Sequence, residues 1–173
     1  MTRNHQQYKG FTLIELMTVV VIIGVLATVT ISAYQTYSIR NQITEGINLS
    51  ANAKTQILNY FLSNKEAPAD RSKTGLTPNA TDTFSNFVTG IEIENGRIDI
   101  TFGNKANAII SNTVLSLTPY EASNSLIWRC GHQEAPQSPS GGNLEPLGTL
   151  GGGNTATYAA STVASRYVPA FCR

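Results

Sequence analysis

From Leu13 to Ile31 the chain is apolar apart from Glu15, Gly24 and three threonines, and beyond Ser32 apolar positions thin to one helical face. The first pattern predicts a helix of about 30 Å, one bilayer crossing at 1.5 Å per residue. In the second, Ile39, Ile43, Ile47 and Ala51 recur every four residues and Leu58 and Leu62 follow, while Arg40, Glu45, Asn52, Lys54 and Asn59 fill polar positions. That is an amphipathic helix with one buried stripe. It is expected to continue without a break from the apolar part and to stop near Asn64, before Pro68. About 50 residues of helix would extend roughly 75–80 Å.

The periodicity then changes. Residues 64–88, with Pro68, Gly75, Pro78 and many Ser, Thr, Asn and Asp, read as a surface connection with little regular structure. Asn79-Ala80-Thr81 fits a sugar-acceptor pattern, but the pattern is common and reads first as a plain turn. Ile91-Glu92-Ile93-Glu94-Asn95-Gly96-Arg97-Ile98-Asp99-Ile100 alternates with period two about an Asn-Gly pair. A type I′ turn there sets Ile93 opposite Ile98 and Ile91 opposite Ile100, with Glu94 facing Arg97 and Glu92 facing Asp99. The last pair is a mild repulsion, tolerable on a solvated face. Val114–Thr118, ended by Pro119, and Leu126–Cys130 are further strands. The fold class is α+β: a long N-terminal helix, an antiparallel sheet of about four strands packed on its amphipathic half, and a C-terminal loop.

Net charge is +1, and Arg3 and Lys9 precede the apolar segment; without them ten basic side chains face eleven acidic ones. A nearly neutral surface excludes strong non-specific binding to nucleic acid. Residues 1–10 are polar, basic and free of acids, and the glycine at a sensible cleavage boundary, Gly10, stands before the apolar run rather than after it. Cutting after Gly10 would retain the apolar segment, and the basic leader would face the cytoplasm. Glu15 then lies inside hydrocarbon, at a cost of about 2.5–3.5 kcal/mol unless paired. The new amino group of Phe11, on the same chain, where a spacing of four would put it on the helical face of Glu15, or on a neighbour, is the nearest partner, with snorkelling to the interface as the alternative.

Cys130 and Cys172 stand 42 positions apart with no metal-ligand spacing around them. They read as a disulfide of an oxidising compartment, against the alternative of two reduced buried thiols. Pro136, Pro139, Gly141, Gly142, Pro146, Gly148 and Gly151–Gly153 leave little to pack between them, so the bond would tie an otherwise loose segment. Ser165–Cys172 is expected to return to the sheet edge, with Pro169 discouraging further pairing. Without the leader, His132 is the remaining histidine, and no nucleophile and base stand at informative spacing. No catalytic residue, metal or cofactor is expected.

Gly10 followed by Phe11-Thr12-Leu13-Ile14-Glu15, with Tyr34-Gln35-Thr36-Tyr37 after the apolar run, resembles the type IV pilins, specifically the type IVa major pilins, over about residues 9–37. The resemblance implies cleavage after Gly10 and methylation of the Phe11 nitrogen by a prepilin peptidase/N-methyltransferase. It implies storage in the inner membrane and extraction by the pilus machinery into a helical homopolymer, with Glu15 needed for subunit addition. Residues 1–10 would be leader, 11–34 the transmembrane and filament-core helix, and 35–173 an extracytoplasmic head whose disulfide region, 130–172, meets host or abiotic surfaces. The implied function is a retractable surface fibre for adhesion, twitching motility and, as a further role, DNA uptake, with nucleic acid bound weakly if at all. A minor pilin or a type II secretion pseudopilin would share residues 9–37, and a solitary membrane-anchored binding module is a third class. Many pilins have Pro where this chain has Ser32, so loosening of the helix would fall to Gly24 and the β-branched run around it.

Overall fold

The structure, a computed structural model, describes residues 10–173 except Asn124 and Ser140; residues 1–9 of the expected leader lie outside the described residues. Two compact units divide the chain, one ending at Tyr37 and one running Ser38–Arg173.

In the first unit, α1 (Leu13–Leu49) begins, and its residues 13–35 are exposed all round. The polar groups inside it are satisfied locally: the hydroxyls of Thr18, Thr28 and Thr30 donate to the carbonyls of Glu15, Val25 and Leu26 at 2.7–2.9 Å. Such back-bonding removes the cost of a free hydroxyl in hydrocarbon. Gly24 and Ser32 both lie within the unbroken helix.

The second unit holds the rest of α1, then α2 (Ala51–Asn64). One residue interrupts the expected continuous helix. Ser50 is fully buried with ψ of −6°, and its hydroxyl donates to the Ile47 carbonyl at 2.6 Å, a local bond that pulls the backbone from helical geometry. The main-chain ladder resumes at once, with Lys54 N–H donating to the Ser50 carbonyl. As expected, α2 ends at Asn64; Lys65 caps it in the left-handed conformation.

The buried stripe differs from the one expected. Ile39, Ile43, Gly46, Ser50, Ala53, Ile57 and Phe61 face inward, whereas Ala51 and Leu62 are exposed and Ile47 and Leu58 half-buried. A strict four-residue step drifts about 40° around the helix each time, because a turn takes 3.6 residues; alternating steps of three and four keep to one side.

Four strands follow, β1 (Val88–Glu94), β2 (Arg97–Phe102), β3 (Val114–Ala122) and β4 (Ser125–Cys130), antiparallel in the order β1-β2-β3-β4. The β1–β2 register is the expected one throughout Ile91–Ile100, and Asn95 and Gly96 carry the positive φ of a type I′ turn, 48° and 77°. Glu92 faces Asp99, but the like charges do not stand alone. The Arg97 guanidinium bridges Asp99 at 2.7 Å and also pairs with Glu94, and the Asp99 carboxylate raises the Arg97 pKa above its ordinary value.

β3 does not stop at Pro119, contrary to expectation. The Pro119 carbonyl accepts from the Leu147 N–H at 3.0 Å, and since both main-chain groups of a residue point to the same side, the missing donor faces away from β4. Residues 64–88 are likewise more than a surface connection. Arg71, 1% exposed, donates to the carbonyls of Thr77 and Ile91 and to the Thr83 hydroxyl, so one guanidinium organises the loop against β1. Asn79 is exposed at the entry to a short 3-10 turn, Ala80–Asp82.

The segment after Cys130 also packs more than its composition indicated. Leu147, Ala156, Val163 and Val168 join the core, and Ser161 and Thr162 bond the main chain of Ser116 and Val114, the part of β3 that β4 does not reach. Residues from Ala170 to Cys172 form a last 3-10 turn beside β4, the expected return to the sheet edge.

Helix and sheet pack closely at Gly46. A Cβ there would stand 2.9 Å from Phe102 Cε1 and 3.1 Å from Ile100 Cγ2, both side chains fully buried. We expect Gly46→Val to lower stability by about 1–3 kcal/mol through overpacking, while Gly46→Ala recovers part of its clash, up to about 1 kcal/mol, in helix propensity. Urea unfolding of the full chain checks this, and an undiminished Gly46→Val midpoint would contradict the close packing.

Candidate assembly site

The site begins where the chain enters α1. Gly10, with nothing within 4 Å of a Cβ built on it, and Phe11, 86% exposed, precede the first helical residue. Phe11 thus does not share a helical face with Glu15 in the uncleaved chain.

Thr12 and Glu15 instead form a capping box. The Thr12 N–H and hydroxyl donate to Glu15 Oε2 at 2.9 and 2.7 Å, and the Glu15 N–H donates to Thr12 Oγ1 at 3.3 Å. The pattern Thr-x-x-Glu satisfies two donors that a helix start leaves unpaired. Sequence reasoning passed over it, though the spacing was in view. Both donors converge on Oε2; among the described residues Oε1 accepts nothing. The cap fixes the carboxylate at the start of an apolar helix.

The surface beside it is apolar apart from Gly24 and three threonines. Among the described residues one helical stretch, Leu13–Asn64, is long and apolar enough to cross a membrane. Ile14, Val21, Val25 and Val29 are each 63–70% exposed in the single chain. An apolar helix exposed on all faces requires lipid or further protein around it.

At the other end of the chain Cys130 and Cys172 are joined, their Cα atoms 4.7 Å apart, which ties the end of β4 to the last 3-10 turn. His132, next to this bond, has its ring nitrogen Nε2 2.7 Å from the Val163 carbonyl. Among the described residues no three His, Cys, Asp or Glu side chains are grouped as metal ligands would be.

The chain thus combines a capped carboxylate at the start of an exposed apolar helix with a helix-on-sheet head closed by a disulfide. The family model for pilin, the bacterial filament protein, matches residues 40–173, and the prokaryotic N-terminal methylation motif matches residues 6–31. The chain is 37% identical over 124 residues to a fimbrial protein of Neisseria meningitidis, covering 71% of this chain and 72% of that one. It is 36% identical over 124 residues to the type IV major pilin protein PilE1 of Neisseria gonorrhoeae, covering 71% and 69%. To the type IV major alpha-pilin of Moraxella bovis it is 35% identical over 136 residues, covering 70% and 84%. The chain belongs to the pilin family, and is a structural subunit of a filament rather than an enzyme.

Proposed function

We propose that the chain is the major subunit of a type IV pilus, made as a precursor with residues 1–10 as leader, 11–34 as membrane and filament-core helix and 35–173 as extracytoplasmic head. A prepilin peptidase cuts after Gly10 and the Phe11 nitrogen is methylated. The new amine, on the same chain or a neighbour, takes the open oxygen of Glu15. The helix then leaves the inner membrane, through the pilus machinery, for the core of the fibre. The observation that carries this reading is the capped Glu15 carboxylate at the head of an apolar helix, within the match to the methylation motif. Relatives named as major pilins support the major rather than the minor role. Adhesion to host or abiotic surfaces, twitching motility and DNA uptake are the roles such a retractable fibre would serve, the last with weak binding given the nearly neutral chain.

Fibres sheared from cells producing the chain test the reading. It is expected to be their predominant protein. Presence in trace amounts would assign it instead to a minor pilin or a type II secretion pseudopilin, and retention in the membrane with no fibre at all to a solitary binding module.

A further inference from the structure

Where the chain enters β1 and leaves β2, a cavity of about 560 Å³ opens, lined by Glu45 of α1 with Phe84, Ser85, Asn86, Asn104 and Lys105. Its volume suits a small ligand. The two loop stretches that line it are laced together. The Lys105 N–H donates to the Asn86 carbonyl at 2.9 Å and the Gly103 N–H to the Phe87 carbonyl at 3.0 Å, while Nδ2 of Asn104 donates to the carbonyls of Ser85 and Val88 at 2.9 and 3.0 Å. Those bonds set the two stretches before anything binds, so little ordering cost falls on binding. The cavity lies wholly in the unit Ser38–Arg173.

The groups that line it are unspent. Among the described residues the ion pairs both belong to Arg97, so the Glu45 carboxylate and the Lys105 ammonium share one cavity without meeting. Neither they nor the Asn86 amide make a side-chain hydrogen bond among the described residues, and the Ser85 hydroxyl, which accepts from the Phe87 N–H at 3.2 Å, keeps its own proton to donate. Phe84 is 67% exposed. An aromatic ring and a carboxylate lining one cavity receive a quaternary ammonium group, through the ring face and through charge. A lysine with amide and hydroxyl donors receives a phosphate. A ligand with a single charge would meet one of the two opposite charges unfavourably, whereas a zwitterion answers both. We propose that this cavity binds a phosphocholine-type zwitterion, its quaternary ammonium against Phe84 and Glu45 and its phosphate against Lys105, Asn86 and Ser85. The chemistry is the same in a phosphatidylcholine headgroup and in a soluble phosphocholine ester. Such a site gives the adhesive role of the fibre a ligand, and for that use it rests on the reading of the chain as a pilus subunit.

Saturation-transfer NMR on phosphocholine tests the proposal, with the full chain held in maltoside micelles, which contain no choline. Transfer to the N-methyl protons is expected from the wild-type chain. Glu45→Gln and Lys105→Gln are each expected to weaken binding by about fivefold, the worth of one exposed charge contact, and the two together by more than about tenfold. Phe84→Ala removes a ring that is already exposed, so the fold is expected to stand while transfer to the N-methyl protons falls. Glu134→Gln, past the end of β4, is expected to bind as the wild type does. No transfer from the wild-type chain, or equal transfer from the double variant, overturns the proposal. Choline alone or inorganic phosphate bound as tightly as phosphocholine overturns it too, since one charge would then suffice. Competition by phosphatidylcholine liposomes supports the site and assigns it to a lipid surface; binding of phosphocholine without such competition supports it and assigns it to a soluble ester. Binding is read on the unassembled chain, so its failure leaves the pilus reading standing, and a failure to form fibres leaves the binding result standing.

Discussion

Replacing Glu15 by alanine is expected to leave a folded, membrane-inserted subunit and almost no fibre. The carboxylate is unfavourable in hydrocarbon by about 2.5–3.5 kcal/mol, so removing it can only ease membrane insertion, and any loss must come from assembly. An interaction of about 3 kcal/mol corresponds to more than a hundredfold in subunit addition, the reduction expected in sheared fibre. Glu15→Gln separates charge from shape: the amide oxygen can still accept from the Thr12 N–H and hydroxyl, yet it offers an incoming amine no charge. That variant is expected to fail as alanine does. Thr12→Ala is expected to loosen the first turn by about 1 kcal/mol and reduce fibres far less. Fibre yield from Glu15→Gln equal to wild type, measured by shearing and gel densitometry, would remove charge pairing from the mechanism.

Breaking the Cys130–Cys172 bond, by Cys130→Ser with Cys172→Ser, is expected to cost the head about 4 kcal/mol, since the bond closes a loop of 42 positions. The loss reaches the core because Val163 and Val168 sit in the tied segment and pack without solvent exposure worth naming. Ser161 and Thr162, which cover Val114 and Ser116 on β3, would be released with them. A fall in the unfolding midpoint should accompany new proteolytic cleavage in the glycine-rich stretch Gly148–Gly153. An unaltered melting profile of the double variant would show that packing alone holds the segment.

The β1–β2 hairpin was legible residue by residue, because an Asn-Gly turn fixes register and period-two alternation fixes which face is buried. The disulfide between Cys130 and Cys172 was legible, but the geometry around Glu15 was not. Reading Glu15 as an orphan charge hid the capping box with Thr12, three residues back. The helix stripe was found in outline and mis-phased, since counting by fours runs around the cylinder rather than along it. Arg71 gave no local signal at all: its acceptors lie 6, 12 and 20 positions away, and only the folded loop brings them together. The C-terminal segment misled by composition. Its few apolar residues are widely spaced, yet Leu147, Ala156, Val163 and Val168 each reach the core, because the chain there follows the sheet rather than looping free.

The central claim is that removal of residues 1–10 creates the amine that Glu15 awaits. The intact mass of the protein in sheared fibres tests it most directly. The account predicts the mass of residues 11–173 plus CH2, for a methyl in place of one amine hydrogen, less the two hydrogens lost in joining Cys130 to Cys172. Fibres built from the chain with its first ten residues still attached would contradict it.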